Sequence, residues 1–497
     1  VDVCDGCDAL GGRQREALGM KSLFALFWVA LSLSQILVPL TRWLFVRFGK
    51  LDLPGERKTH TVAVPRSGGV AVILSYLFAI GIVTMLPAGG NYVIEQRSDF
   101  LLRFLPAVGV VFLTGFLDDM FDLRPVQKLA GQLIAASIAY WAGIRMIEAS
   151  PGMEWVSYSC TILWLILCSN AFNLTDGTDG LAGTLGVVSC LGLITVALTL
   201  DYYSLAYVFA PLLGAILPFL RANWPPALLF LGDTGSLTMG FLIGCGGAVL
   251  AKHFPSGDGL ISAVLILTLP LMETALSSTR RLLRGRPVFS ADSNHIHHRL
   301  KRQGHGSAGV LWRLGMLALL GTAIAVLQIG RGVYERIFLV GPFLLFLGHS
   351  VARLRYPEFL VLGEAFLGGR IRSWLRHQIL LRSLEDDLKT ANTAQEAIGL
   401  LAQGARELGL LELNIRLAGF SFAEAAPTMD RPNTYAVRVD LPMQSWANFR
   451  VPVHLKRMEN PAADYGAVVL RILNEQCLER LKRAEARPAQ QHEAILA

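Results

Sequence analysis

Apolar runs recur along this chain, each closed by a short polar cluster. They fall near 22–41, 68–86, 104–117, 128–147, 155–173, 183–200, 204–221, 235–252, 259–277, 310–329 and 335–352. A helix needs roughly 20 apolar residues to cross about 30 Å of hydrocarbon, so the pattern predicts about eleven transmembrane helices. The third run is short unless it begins at Phe100, and the fifth ends among polar residues. After residue 352 the pattern changes. Residues 353–381 read as a basic, amphipathic linker suited to the headgroup layer. Residues 382–410 show helical periodicity, "LELNIRLAG", "TYAVRVDLPM" and "FRVPVHLKR" alternate as strands, and 463–484 reads as a helix. The fold class expected is an α-helical polytopic membrane protein over residues 21–352, with a small C-terminal cytosolic α+β domain over 382–484. Residues 1–20 and 485–497 are expected to be a disordered N-terminal extension and a disordered tail.

Composition agrees. Of 497 residues, 53% are hydrophobic and 17% charged, where soluble chains carry about 25% charge. The net charge of +7 fits basic loops beside anionic headgroups, and no nucleic-acid partner is expected. Cys4 and Cys7 in "CDGC" have no second half of a zinc site, and no disulfide framework is visible. The loops after odd-numbered spans hold about sixteen Lys and Arg, and the loops after even-numbered spans about six, which places the odd loops in the cytoplasm. The C-terminal segment then follows on the same side.

Five unusual polar stretches all fall in odd loops: "ERKTHTVAVPRSGG", "DDMFDLRP", "NAFNLTDGTDGLAG", "NWPPALLFLGDTGS" and "RRLLRGRPVFSADSNHIHHRL". One ionised Asp at mid-membrane costs roughly 3 kcal/mol, so Asp118, Asp119 and Asp122 at a membrane edge need a reason. Together with Asp176, Asp179 and Asp233 they would repel one another, and a hard divalent cation removes that difficulty. Lys58, Arg281, His295, His297 and His298 share the face. "HIHH" is a poor zinc pattern, because His295 and His298 would share a helix face while His297 points elsewhere. Cations for phosphate oxygens beside acids for Mg²⁺ suit phosphoryl transfer. Gly232 and Gly235 in "LGDTGS" permit close approach at a helix N-terminus. A transporter with an acidic ion pathway is the other class to weigh; such sites tend to lie near the midplane. An Asp-rich prenyltransferase would leave "HIHH" and "LGDTGS" without a role.

In this order, the five motifs resemble the polyprenyl-phosphate N-acetylhexosamine-1-phosphate transferase family, over residues from about 40 to 305 and as topology to about 352. The resemblance implies transfer of a sugar-1-phosphate from a UDP-sugar to undecaprenyl phosphate, with release of UMP, starting a lipid-linked glycan such as O-antigen, teichoic acid or exopolysaccharide. It implies Mg²⁺ as cofactor, with Mn²⁺ able to substitute, and an inner-membrane site open to the cytoplasm. Asp118 and Asp119 match the acidic pair, one of them the base on the lipid phosphate, and both are expected at the metal with Asp233, the principal ligand. Asn173, Asp176 and Asp179 match the nucleotide and metal loop, and Asn223 matches the Asn ten residues before Asp233. Lys58 matches a phosphate-contacting Lys; Asp122 is expected at the substrate. Arg281, His295, His297 and His298 match the loop that closes over the sugar diphosphate. "HIHH" is similar to the branch that uses UDP-N-acetylglucosamine; other UDP-N-acetylhexosamines remain open, and a homodimer is common in similar proteins.

Overall fold

The computed structural model describes residues 12–52, 63–85, 98–148, 152–254, 257–283 and 295–354, and then, with breaks, residues between 356 and 452. The chain divides into two compact units: residues 1–278 with 291–354, and residues 279–290 with 355–497.

The first unit is helical. Its elements are α1 (Gly12–Arg47), a two-residue hairpin of β1 (Leu51–Asp52) and β2 (Val64–Pro65), α2 (Gly68–Met85), α3 (Ser98–Phe121), α4 (Pro125–Trp141), α5 (Glu154–Thr175), α6 (Leu181–Thr199), α7 (Tyr203–Asn223), α8 (Gly232–His253), α9 (Asp258–Ile266), α10 (Thr268–Leu283), α11 (Ile296–Arg302), α12 (Ser307–Leu327) and α13 (Val333–Arg353). Among the described residues nine helices are long and apolar enough to span a membrane, and ten if the pair α9 and α10, bent by 72°, forms one broken span. The expectation of about eleven is corrected to this number. The difference is the run at 128–147. It forms the 17-residue helix α4, because Gly143, at φ 109°, turns the chain out of the helix. The third expected span is longer than its apolar run, and α1 begins at Gly12, inside the segment expected to be disordered.

Helix α8 is the hub, the most buried of the spans. Its sequence "GDTGSLTMGFLIGCGG" supplies small residues on several faces, so neighbouring backbones approach closely. A Cβ at Gly240 would lie 2.6 Å from the carbonyl oxygen of Cys168 in α5. Helix α1 packs chiefly on α7 and α2, and α13 is the least buried span.

In the second unit, β3 (Glu412–Leu417), β4 (Phe420–Ala425), β5 (Thr434–Leu441) and β6 (Ser445–Pro452) form one antiparallel sheet in the order β4-β3-β6-β5. The alternation in "LELNIRLAG", "TYAVRVDLPM" and "FRVPVHLKR" predicted three of these strands; β4 was not anticipated. The helix expected at 463–484, the tail 485–497 and most of the linker 353–381 lie outside the described residues.

Candidate active site

The site is assembled at the end of the bundle where α3 stops and α8 starts. Asp119, in the last turn of α3, accepts the backbone N–H of Asp233 at Oδ1 (2.9 Å) and, at Oδ2, the N–H of Thr234 (2.8 Å) and the Thr234 hydroxyl (2.6 Å). These amides open α8 and have no acceptor inside the helix, and the positive end of its dipole favours a carboxylate there. Two glycines make the contact possible. Gly115 brings α3 against the backbone of Asp233 and Thr234, and a Cβ on Gly232, at φ 74°, would lie 2.6 Å from Asp119 Oδ2. Both oxygens of Asp119 therefore serve the α8 terminus.

Asp118 has a different environment. It is 5% exposed. Its Oδ1 accepts the N–H of Leu123 at 2.9 Å, and its Oδ2 lies 2.6 Å from Nζ of Lys128. The same Nζ lies 2.6 Å from Oδ2 of Asp233. One cation is thus shared by carboxylates from α3 and α8. Asn173, on the last turns of α5, donates to Oγ of Ser236 at 3.1 Å, one turn into α8.

The loop between α5 and α6 closes beside this pair. Asp176 accepts the N–H of Gly232, and removal from solvent, followed by the charges of Asp233 and Asp119, raises its pKa well above the usual carboxylate range. Oδ2 of Asp179 accepts the N–H of Ala227 at 3.2 Å. Asn223, 3% exposed, accepts the N–H of Gly180 at 2.9 Å and donates to the carbonyl of Leu229 at 2.7 Å. Its amide ties the 176–180 loop to the 224–231 loop and leaves it a positioning role. Arg66, after β2, bonds Oδ1 of Asp52 at 3.0 Å. Burial opposes its charge, but Asp52, Asp119, Asp233 and Asp122 outweigh that and raise its pKa.

The histidines form one cluster. His295 precedes α11, and its Nδ1 lies 2.7 Å from Oε1 of Glu273, whose Oε2 accepts the N–H of Ile296 at 3.0 Å. The rings of His295 and His297 stack with centroids 5.5 Å apart, and those of His297 and His298 lie 4.3 Å apart. His297 does not point away from the others, as helical spacing alone suggested, because His295 lies outside the helix in extended backbone. His297 is 1% exposed, and its Nε2 would lie 3.0 Å from a Cβ placed on Gly177. That nitrogen has no hydrogen-bond partner among the described residues. Burial, then His298 and His295, push its pKa down to about 2; burial, then His295, lower His298 to about 4. Both are neutral at pH 7.

Asp122 follows α3 at φ 50°, exposed in a turn. Lys58 lies outside the described residues, and Arg281 belongs to the second unit. Sequence reasoning missed Lys128, Arg66, Glu273 and Thr234. Lys128 was read as the start of an apolar span. The overlooked signal for Glu273 was a lone carboxylate in an otherwise apolar run, which needs a partner.

A polytopic helical membrane protein with acidic, amide and imidazole groups gathered at one end of its bundle defines the class. Residues 101–251 match the glycosyl transferase family 4 model. The chain is 30% identical to the probable undecaprenyl-phosphate N-acetylglucosaminyl 1-phosphate transferase of Bacillus subtilis, over 57% of this chain and 79% of that one. It is 30% identical to the undecaprenyl-phosphate alpha-N-acetylglucosaminyl 1-phosphate transferase of Escherichia coli O157:H7, over 62% and 85%. It is 34% identical to the protein of that same description in Thermotoga maritima, over 51% and 73%. The chain belongs to glycosyl transferase family 4, and it is a transferase of the polyprenyl-phosphate N-acetylhexosamine-1-phosphate type.

Proposed function

We propose that this protein transfers N-acetylglucosamine-1-phosphate from UDP-N-acetylglucosamine to undecaprenyl phosphate at the cytoplasmic face of a bacterial inner membrane. The observation that carries the reading is the single cation held between Asp118 and Asp233. Names of relatives support the donor and the lipid acceptor. Another UDP-N-acetylhexosamine fits the same chemistry.

In the reaction, an oxygen of the lipid phosphate attacks the β-phosphorus of the UDP-sugar. A new P–O bond forms, the bond from that phosphorus to the bridging oxygen breaks, and UMP leaves with the electron pair. Asp119 is engaged by the α8 amides, so Asp118 is the member of the pair that would face the lipid phosphate, through the cation it shares with Asp233. Lys128 and Arg66 balance phosphate charge. The buried Nε2 of His297, neutral and without a partner among the described residues, faces the 176–180 loop and is available to a substrate oxygen or hydroxyl.

Mg²⁺ is the cofactor proposed. Among the described residues no three His, Cys, Asp or Glu side chains group as a ready-made metal cage. Two carboxylates already turned on one cation fit Mg²⁺ nonetheless, since it takes one or two protein carboxylates and completes its shell with water and substrate phosphates. Asp118 and Asp233 would hold it, with Asp176 beside them, and it would neutralise charge on the diphosphate and the leaving oxygen. A donor panel tests the reading. Purified protein with undecaprenyl phosphate, Mg²⁺ and several UDP-sugars should release UMP and form labelled lipid with UDP-N-acetylglucosamine. UMP release with no labelled lipid, or no reaction with any UDP-sugar, would overturn it.

A further inference from the structure

A groove separate from the acidic centre runs along the flank of the bundle between α1 and α7, with a cavity volume of about 690 Å³. Its walls are mostly apolar, Leu31, Val38 and Pro39 from α1 and Leu217 and Pro218 from α7, with Gln35 adding a polar side chain on α1. Leu228, in the loop that leads into α8, also lines it. Two arginines line it, Arg42 and Arg221, and no acidic residue does. Arg42 is five residues from the end of α1 and Arg221 two from the end of α7. Both helices are long and apolar enough to span a membrane, so the guanidinium groups sit where the helices leave the hydrocarbon, at the end of the bundle that carries the site.

Several other cations of the bundle are paired. Arg66, Lys128, Lys252 and Arg336 each meet a carboxylate. Arg42 and Arg221 have no acidic partner among the described residues, and both are exposed. Arg42 donates its Nε–H to the carbonyl of Leu228 at 3.3 Å, which engages one of the five donors of the guanidinium. An apolar slot ending in an unpaired Arg fork at headgroup height is complementary to an amphiphile with an acyl chain and a phosphate.

We propose that the α1–α7 groove binds an anionic phospholipid of the surrounding leaflet, its chain against Val38 and Leu217 and its phosphate on Arg42 and Arg221. The site bears on the enzyme through Leu228. The chain from Leu228 reaches Asp233 in five residues, and Phe230 and Leu231 on the way bond Pro65 and Gly69. The inference is independent of the transfer reaction, because lipid retention is read without any turnover.

The full chain, purified in detergent, is incubated with phosphatidylglycerol or phosphatidylcholine of the same acyl length and examined by native mass spectrometry. The wild type should retain one phosphatidylglycerol in preference to phosphatidylcholine. Arg42→Gln with Arg221→Gln should weaken that retention on the order of tenfold. Leu217→Trp, which fills the slot and keeps both charges, should weaken it too, while Arg42→Lys with Arg221→Lys should keep most of it. Equal retention of the two lipids, or equal retention by wild type and the Gln pair, would overturn the proposal. So would displacement of phosphatidylglycerol by stoichiometric undecaprenyl phosphate, which would make the groove an acceptor site.

Discussion

Adjacent carboxylates in this chain do different work. Asp118 faces a cation and Asp119 holds a helix terminus. Asp118→Asn and Asp233→Asn should each lower transfer by at least roughly a hundredfold with little change in melting temperature, since an electrostatic contact to transferring phosphate is lost. Asp119→Asn should lower the melting temperature as well, because its amide repels an N–H that the carboxylate accepted. A radiolabel assay and a detergent melt on the three variants separate these outcomes. The paired acids were legible in "FLDDMFDL"; their division of labour was not, since it depends on Gly115 and Gly232 letting α3 meet the start of α8. The histidines supply a pH signature. The folded pKa of His297, at about 2, lies below its unfolded value near 6.5. Below 6.5 the unfolded chain binds more protons, so this contribution is complete above pH 6.5 and is lost as pH falls toward 2. Between pH 7 and 5 the wild type should lose melting temperature relative to His297→Gln. An identical pH slope in the variant would contradict the buried, neutral assignment.

Small residues carry the information at the scale of elements. The pattern of apolar runs located nearly every helix, because hydrocarbon thickness sets their length. It misjudged α4, where Gly143 ends the helix early, and read its first-turn Lys128 as the edge of a span. It also gave no sign that α9 and α10 break by 72°, which places Glu273 beside His295. Close packing of α3 on α8 predicts a steep response to added volume. Gly115→Ala should destabilise by about 1–3 kcal/mol, and Gly115→Leu should abolish transfer. Gly81→Ala, with nothing within 4 Å of the new Cβ, is the control. Chemical denaturation in detergent measures the difference; equal stability of the Gly115 and Gly81 variants would remove the α3–α8 contact from the account.

For the whole molecule, segments far apart in sequence, around Asp119, Asp179, Asn223 and Asp233, meet at one end of the helical unit. Cysteines introduced at Gly304 and Gly330 in a cysteine-free background should react with an impermeant thiol reagent from opposite sides of the membrane, Gly304 from the cytoplasm. The central claim, that distant helices meet on one ion, is tested most directly by Mn²⁺ binding followed by electron paramagnetic resonance on wild type, Asp118→Asn, Asp233→Asn and the double variant. If both carboxylates ligate one ion, each single change weakens binding on the order of tenfold or more, and the double variant is weaker by less than the product of the two. Losses that multiply independently, or Mn²⁺ affinity unchanged in either single variant, would contradict it.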